Sequence, residues 1–136
     1  MKPLPAFLLA TVVAACAGTP ATNRQASGMP DYQRYVQGPD LSFDAMRVDD
    51  WSTPDASHVV VWSAPTRAAL VTLFGPCFAL ERAATIGLEA GPHARGGVDA
   101  IVAGGERCPI QRIDRLDGRR LRADMERLRA ARDPAR

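Results

Sequence analysis

The sequence predicts an α+β fold, a small and mostly antiparallel sheet with one packed helix and a C-terminal Arg-rich helix. Three stretches carry this expectation. HVVVWS, residues 58–63, gathers three valines and a tryptophan into a run of strand length. VDAIVAGGERCPIQRIDRL sets Ile101 and Val102 before a Gly104-Gly105 turn and Ile110, Ile113 and Leu116 after it, which is a hairpin pattern. In the tail DGRRLRADMERLRAARDPAR, Leu121, Met125 and Leu128 fall at helical intervals among arginines.

In chain order, residues 1–15 come first and read as an export signal. Lys2 supplies the positive charge, and Ala6 to Val13, with Phe7, Leu8 and Leu9, supplies an apolar stretch. A bilayer-spanning helix needs about 20 apolar residues, and Pro3, Pro5, Gly18 and Pro20 leave far fewer. Val13-Ala14-Ala15-Cys16 resembles the lipobox of bacterial lipoproteins, in which an apolar and two small residues precede the cysteine. The resemblance implies that the signal is cut before Cys16, which is acylated, with palmitate among its chains, and becomes the mature N-terminus. Because Ala17 rather than Asp follows, it further implies the outer membrane, facing the periplasm. Each buried CH₂ of an acyl chain contributes about 0.8 kcal/mol, so several chains hold firmly where one holds reversibly.

Residues 16–30 comprise Cys16 and then AGTPATNRQASGMP, Ala17 to Pro30, which is rich in Ala, Thr, Gly, Ser and Pro without apolar periodicity and reads as a flexible tether. The rest suffices for one domain, assigned to residues 31–117, with residues 118–136 as an Arg-rich helical tail. With 46% hydrophobic and 24% charged residues, the composition is that of a globular chain. The formal net charge is +2, one less once Lys2 is removed, and is too near neutral for a nucleic-acid binder. Every base after Lys2 is Arg or His.

Within the domain, LSFDAMRVDDW alternates Phe43, Ala45 and Arg47 with Asp44, Met46 and Val48, which suggests a strand. His58 to Ser63 should be a central strand. Ser63 then offers an N-cap and Pro65 a first-turn residue, while Leu70, Leu73 and Phe74 are spaced as in a helix, giving the expected packed helix over TRAALVTLF. Gly75-Pro76 ends it. FALERAATIGLEAG is ambiguous, with Thr85, Ile86 and Leu88 favouring a strand in its second half. Gly91-Pro92 and Gly96-Gly97 enclose a loop, and Pro109 suggests that the last strand starts late or lies at an edge. The tail helix should run from about Arg119 to Arg132, with Arg120–Asp124 and Arg122–Glu126 available as i,i+4 pairs. Its stripe either docks on the sheet or leaves a basic amphipathic face for anionic headgroups and envelope polymers.

With Cys16 assigned to the lipid, Cys77 and Cys108 remain as a pair. In an oxidising compartment they should form one disulfide, 31 residues apart, completing the expected fold class. Metal binding fits less well, since neither His58 nor His93 has a close-spaced Cys or His.

No nucleophile elbow, P-loop, dinucleotide fingerprint or HExxH motif occurs, so no catalytic, cofactor-binding or metal residue is assigned. His58 opens an apolar strand and reads as a strand-end residue before it reads as a base. His93 reads as an exposed loop residue. Asp49-Asp50 fits turn chemistry better than a calcium site, which needs more oxygen ligands at set spacing. Trp51 and Trp62 read first as core and second as groove-lining residues. The candidate contacts are Trp51, His93, Arg119 and Arg122.

The lipobox, the Val-rich strand, GPC at 75–77 and DAIVAGGERCPIQRI at 99–113 together resemble a small uncharacterised family of proteobacterial lipoproteins, a domain of unknown function. The resemblance spans Leu41 to Leu116, with the two cysteines, Asp99 and the Cys108-x-Ile110 pattern as its most specific parts. It implies an exported, disulfide-bonded, small protein and carries no activity. The expectation is a lipid-anchored, non-enzymatic binding module of the envelope, joined to the membrane by its lipid and partnered by an envelope protein or an anionic polymer, without nucleic acid. A small periplasmic enzyme with a pocket using His58 or His93 is the alternative.

Overall fold

A computed structural model describes residues 29–134; the expected signal, Cys16 and most of the tether lie outside them. Seven strands and one helix follow a 3-10 turn at Tyr32–Tyr35: β1 (Val36–Pro39), β2 (Asp50–Asp55), β3 (His58–Ala64), β4 (Arg67–Leu73), β5 (Ile86–Glu89), β6 (Ala100–Ala103), β7 (Glu106–Asp117) and α1 (Gly118–Arg132). A second 3-10 turn, Phe78–Arg82, lies between β4 and β5. All the pairings are antiparallel, in the order β2-β3-β4-β7-β6-β5, and β1 also pairs with β7. The α+β class, the mostly antiparallel sheet and the Arg-rich C-terminal helix agree with the sequence reading.

The expected packed helix over TRAALVTLF is instead strand β4. Pro65 and Thr66 form the turn between β3 and β4, with Ala64 opposite Arg67, so the residues that resembled a helix start make a hairpin. Leu70 and Leu73 face opposite sides of the sheet, and both are buried because both sides are covered. A strand buried on both faces loses the alternation that would distinguish it from a helix. The strand expected over residues 43–48 reduces to one bridge, Asp44 with His93, because Phe43 and Ala45 find the 92–94 backbone beside them for only three residues.

The hairpin at Gly104-Gly105 forms as expected, with Ala103 opposite Glu106 and positive φ at both glycines (56° and 82°), the conformation that a two-residue turn of this twist requires. The expectation for Pro109 is corrected. β7 starts at Glu106 and runs inside the sheet, with Pro109 where its pairing passes from β6 alone to β4, and its carbonyl accepts from Phe74 N–H.

The alternation of β3 and β4 creates two cores. Val59, Val61, Ala69, Val71 and Leu73 face one side, where Phe43, Leu80, Ile101 and Ile110 join them. Val60, Trp62, Ala68 and Leu70 face the other, where Tyr32, Tyr35, Leu116 and Leu121 cover them. The tail helix therefore docks. Leu121 is fully buried, Met125 partly, and Asp117 caps the helix by accepting from Arg120 N–H at 3.1 Å. The i,i+4 pairs foreseen on α1 give way to tertiary contacts and one i,i+3 pair. Tyr35 Oη donates to Asp124 at 2.6 Å, Asp124 also pairs with Arg127, and Arg120 lies 5.5 Å from the Tyr35 ring centroid. Arg122 lies 4.5 Å from the Trp62 ring and donates to the Pro65 carbonyl.

Cys77 and Cys108 lie at disulfide distance, Cα to Cα 5.9 Å, at the edge of the first core. Replacing both with Ala should cost about 3 to 4 kcal/mol from loop entropy. Urea unfolding of the oxidised protein against the double variant measures this; equal stabilities would mean that the bond closes no loop that unfolding opens. Gly118 supplies a sharper test, because a Cβ there would strike the Thr66 carbonyl oxygen. Helix propensity alone predicts that Gly118→Ala stabilises by up to about 1 kcal/mol, whereas overpacking predicts a loss of about 1 to 3 kcal/mol. Overpacking should win, and a stabilised variant in the same unfolding assay would refute the close approach of the β3–β4 turn and the start of α1.

Candidate functional site

β7 is twelve residues long, and two short strands share one of its edges. β6 pairs with residues 106–109 and β1 with residues 114–116. Between them the edge is served by single hydrogen bonds: Ile110 N–H donates to the Asp99 carbonyl, Gly97 N–H to the Ile110 carbonyl, and Asp40 N–H to the Ile113 carbonyl. Among the described residues, the interval around Gln111 and Arg112 has no strand partner on that side. β7 is also irregular there, since Thr72 opposes Arg112 while the next residue, Leu73, opposes Ile110. The extra residue, Gln111, is a β-bulge, a feature frequent beside functional sites. It also resets the side-chain parity, so that Ile110 and Ile113 both face the first core.

A cleft of about 440 Å³ opens at this interval, lined by Pro39, Asp40 and Leu41 from the end of β1, Ala94, Arg95, Gly96 and Val98 from the loop before β6, and Gln111, Arg112 and Ile113 of β7. Its size falls within the range of small-molecule sites. The loop lies directly on the bulge, because a Cβ at Gly96 would stand 2.6 Å from the Gln111 carbonyl oxygen.

Two of the lining residues are arginines beside buried acids, one hydrogen-bonded and one at ion-pair distance. Arg112 Nε donates to Asp114 Oδ2 at 2.6 Å, and Asp114 is 3% exposed. Asp99, 7% exposed, accepts from the Arg95 backbone N–H at 2.7 Å and lies 3.7 Å from Arg95 Nε. The arginine side chains themselves remain more than half exposed. In each pair the acid faces the Nε side of the guanidinium, which leaves the terminal nitrogens as the groups open to solvent or a ligand. Asp40 is 3% exposed; its Oδ1 accepts from the Ser42 backbone and hydroxyl, and its Oδ2 is buried without a hydrogen-bond partner among the described residues. Leu41 and Val98 add exposed apolar side chains, 85% and 59% accessible. The arrangement sets two exposed guanidinium groups, each beside a buried acid, and the buried carboxylate of Asp40 around an apolar surface, so an anionic group would be met by the arginines.

The residues singled out from sequence are dispersed. Trp51 is half-buried in β2 and packs against the first core, and Trp62 is buried under α1. His93 is an exposed loop residue bridged to Asp44 through the backbone, one position before the cleft residue Ala94. Arg119 is exposed on α1, whereas Arg122 is occupied by Trp62 and Pro65. His58 Nδ1 meets both Asp55 oxygens at 2.8 and 2.9 Å across the β2–β3 turn. The cavity beside it, about 30 Å³, has room for about one water, so the pair reads as a turn staple. Cys77, Glu106 and Cys108 bring three ligand atoms within 4.8 Å of one another, but sulfurs bonded to each other offer no thiolate to an ion.

Sequence reading missed Asp40, Arg95, Arg112 and Asp114. One signal was present in Arg112-Ile113-Asp114, because residues two apart on a strand share a face and opposite charges there can pair. Arg95 and Asp99, four apart in a Gly-rich loop, gave none. Among the described residues no helix is long and apolar enough to cross a membrane.

In comparisons with known proteins, one family model matches, over residues 1–132. No curated protein and no solved structure matches the chain. A match over nearly the whole length leaves one assignment: the chain belongs to the family described as Family of unknown function (DUF6491).

Proposed function

We propose that this is a lipid-anchored cell-envelope protein, held in the outer membrane through Cys16, that faces the periplasm and acts by binding rather than catalysis. The observation that carries the binding role is the cleft at the β7 edge between β6 and β1, where two arginines lie beside buried acids and exposed apolar side chains. Surface arginines paired only to exposed acids contribute little and adopt many geometries. An arginine hydrogen-bonded from behind, as Arg112 is by Asp114, has less rotamer freedom to lose when a ligand arrives. The lipobox-like Val13-Ala14-Ala15-Cys16 is the support for the anchor.

The anchor is tested by the intact mass of protein extracted from host membranes. The expected species lacks residues 1–15, carries acyl chains on Cys16 and gains two hydrogens on reduction. A soluble, unacylated product would overturn it. For the cleft, a photo-crosslinking residue at Leu41 should capture a partner or ligand in living cells, while the same residue at exposed Glu81, on the turn beside the β6–β7 hairpin, should capture none of it. Identical capture profiles at the two sites would remove the cleft as the binding surface.

A further inference from the structure

The chemistry around the cleft narrows what it would take. Two arginines line one opening, Arg95 from the loop and Arg112 from the strand, and the acid that lines it with them, Asp40, is 3% exposed with Oδ1 engaged by Ser42. Each arginine is backed by an acid more than nine-tenths buried, so the cations stay beside the cleft and their outer N–H groups remain available. Paired N–H donors of this kind match the oxygens of carboxylates and phosphates, and charge-assisted bonds of this type are about twice as strong as neutral ones. Leu41 and Val98 stand exposed beside them, with Pro39, Ala94 and Ile113 also lining the opening. Apolar side chains this exposed gain from contact with an apolar part of a ligand.

We propose that the cleft binds an oxyanion, carboxylate or phosphate, joined to a short apolar group. The inference rests on reading the cleft as the protein's binding site, and it adds the class of ligand. Arg95 and Arg112 hold the oxyanion, Leu41 and Val98 hold the apolar part, and Asp99 and Asp114 are positioning residues that act through the arginines. Gly96 keeps the loop on the bulge and thereby sets the spacing between the loop and the strand.

The test is calorimetric titration of the full-length oxidised chain with octanoate, octyl phosphate, inorganic phosphate, octanol and octyltrimethylammonium. Octanoate or octyl phosphate should bind at least tenfold more tightly than octanol or inorganic phosphate, and whichever is tighter identifies the oxyanion. Arg95→Gln and Arg112→Gln, each compared with the parent by circular dichroism and urea unfolding because a buried acid loses its charged partner, should each weaken that binding about tenfold in folded protein. Leu41→Ser should weaken binding of the octyl anions and leave inorganic phosphate unchanged. Equal binding of octyltrimethylammonium, or arginine variants that bind octanoate as the parent does, would overturn the proposal. If no octyl anion binds while crosslinking at Leu41 still captures a partner in cells, the ligand class is wrong and the binding role stands. If neither occurs, both fall.

Discussion

The structure depends on the pairing of β7. This strand contacts β4 along one edge, from Ile110 to Asp117, and divides its other edge between β6 and β1. Without it the β2-β3-β4 meander and the β5-β6 pair would be separate sheets of three and two strands, and small isolated sheets are marginal in water. Such a strand has a geometric cost. Its two halves serve different partners, and the bulge at Gln111 is where the change of parity is absorbed.

The two cores follow from that sheet. One face closes over Phe43, Leu80 and the disulfide, and the other is closed by the Tyr32–Tyr35 turn and α1. Each cover is tied to the sheet by contacts distant in sequence: Cys77 to Cys108, Tyr35 to Asp124 and Arg122 to Trp62. The Arg-rich tail is thus part of the fold. Its narrow apolar stripe is sufficient because aromatic rings and a tyrosine hydroxyl on the sheet side engage the polar residues flanking it.

The cleft is a consequence of the same arrangement. Where β6 ends and β1 has not begun, backbone groups of β7 are served by a loop and a strand end instead of a ladder, and space remains between them. Asp99 and Asp114 are buried because they sit on the strand and loop backbones that bound this space. Each is compensated by an arginine whose far end stays in water, an arrangement in which a buried acid keeps a partner and the partner keeps its hydration.

Local sequence determined the parts whose physics is local. HVVVWS had to be a strand because its β-branched residues pack on a pleated surface, and Gly104-Gly105 had to turn because only glycine takes two consecutive positive φ angles readily. The tail had to be helical because its apolar residues recur at 3.6-residue spacing. β4 was not legible, since burial on both faces erased its alternation and left Leu70 and Leu73 at a helical interval. Neither β1 nor the covering role of Tyr32 and Tyr35 was foreseen, because β1 pairs with residues 75 to 80 positions away and Tyr35 bonds Asp124, 89 positions away. The candidate site was the least legible part. Asp40, Arg95 and Arg112 become neighbours only when the ends of two short strands meet at one bulge of β7, and that register is set by the packed sheet.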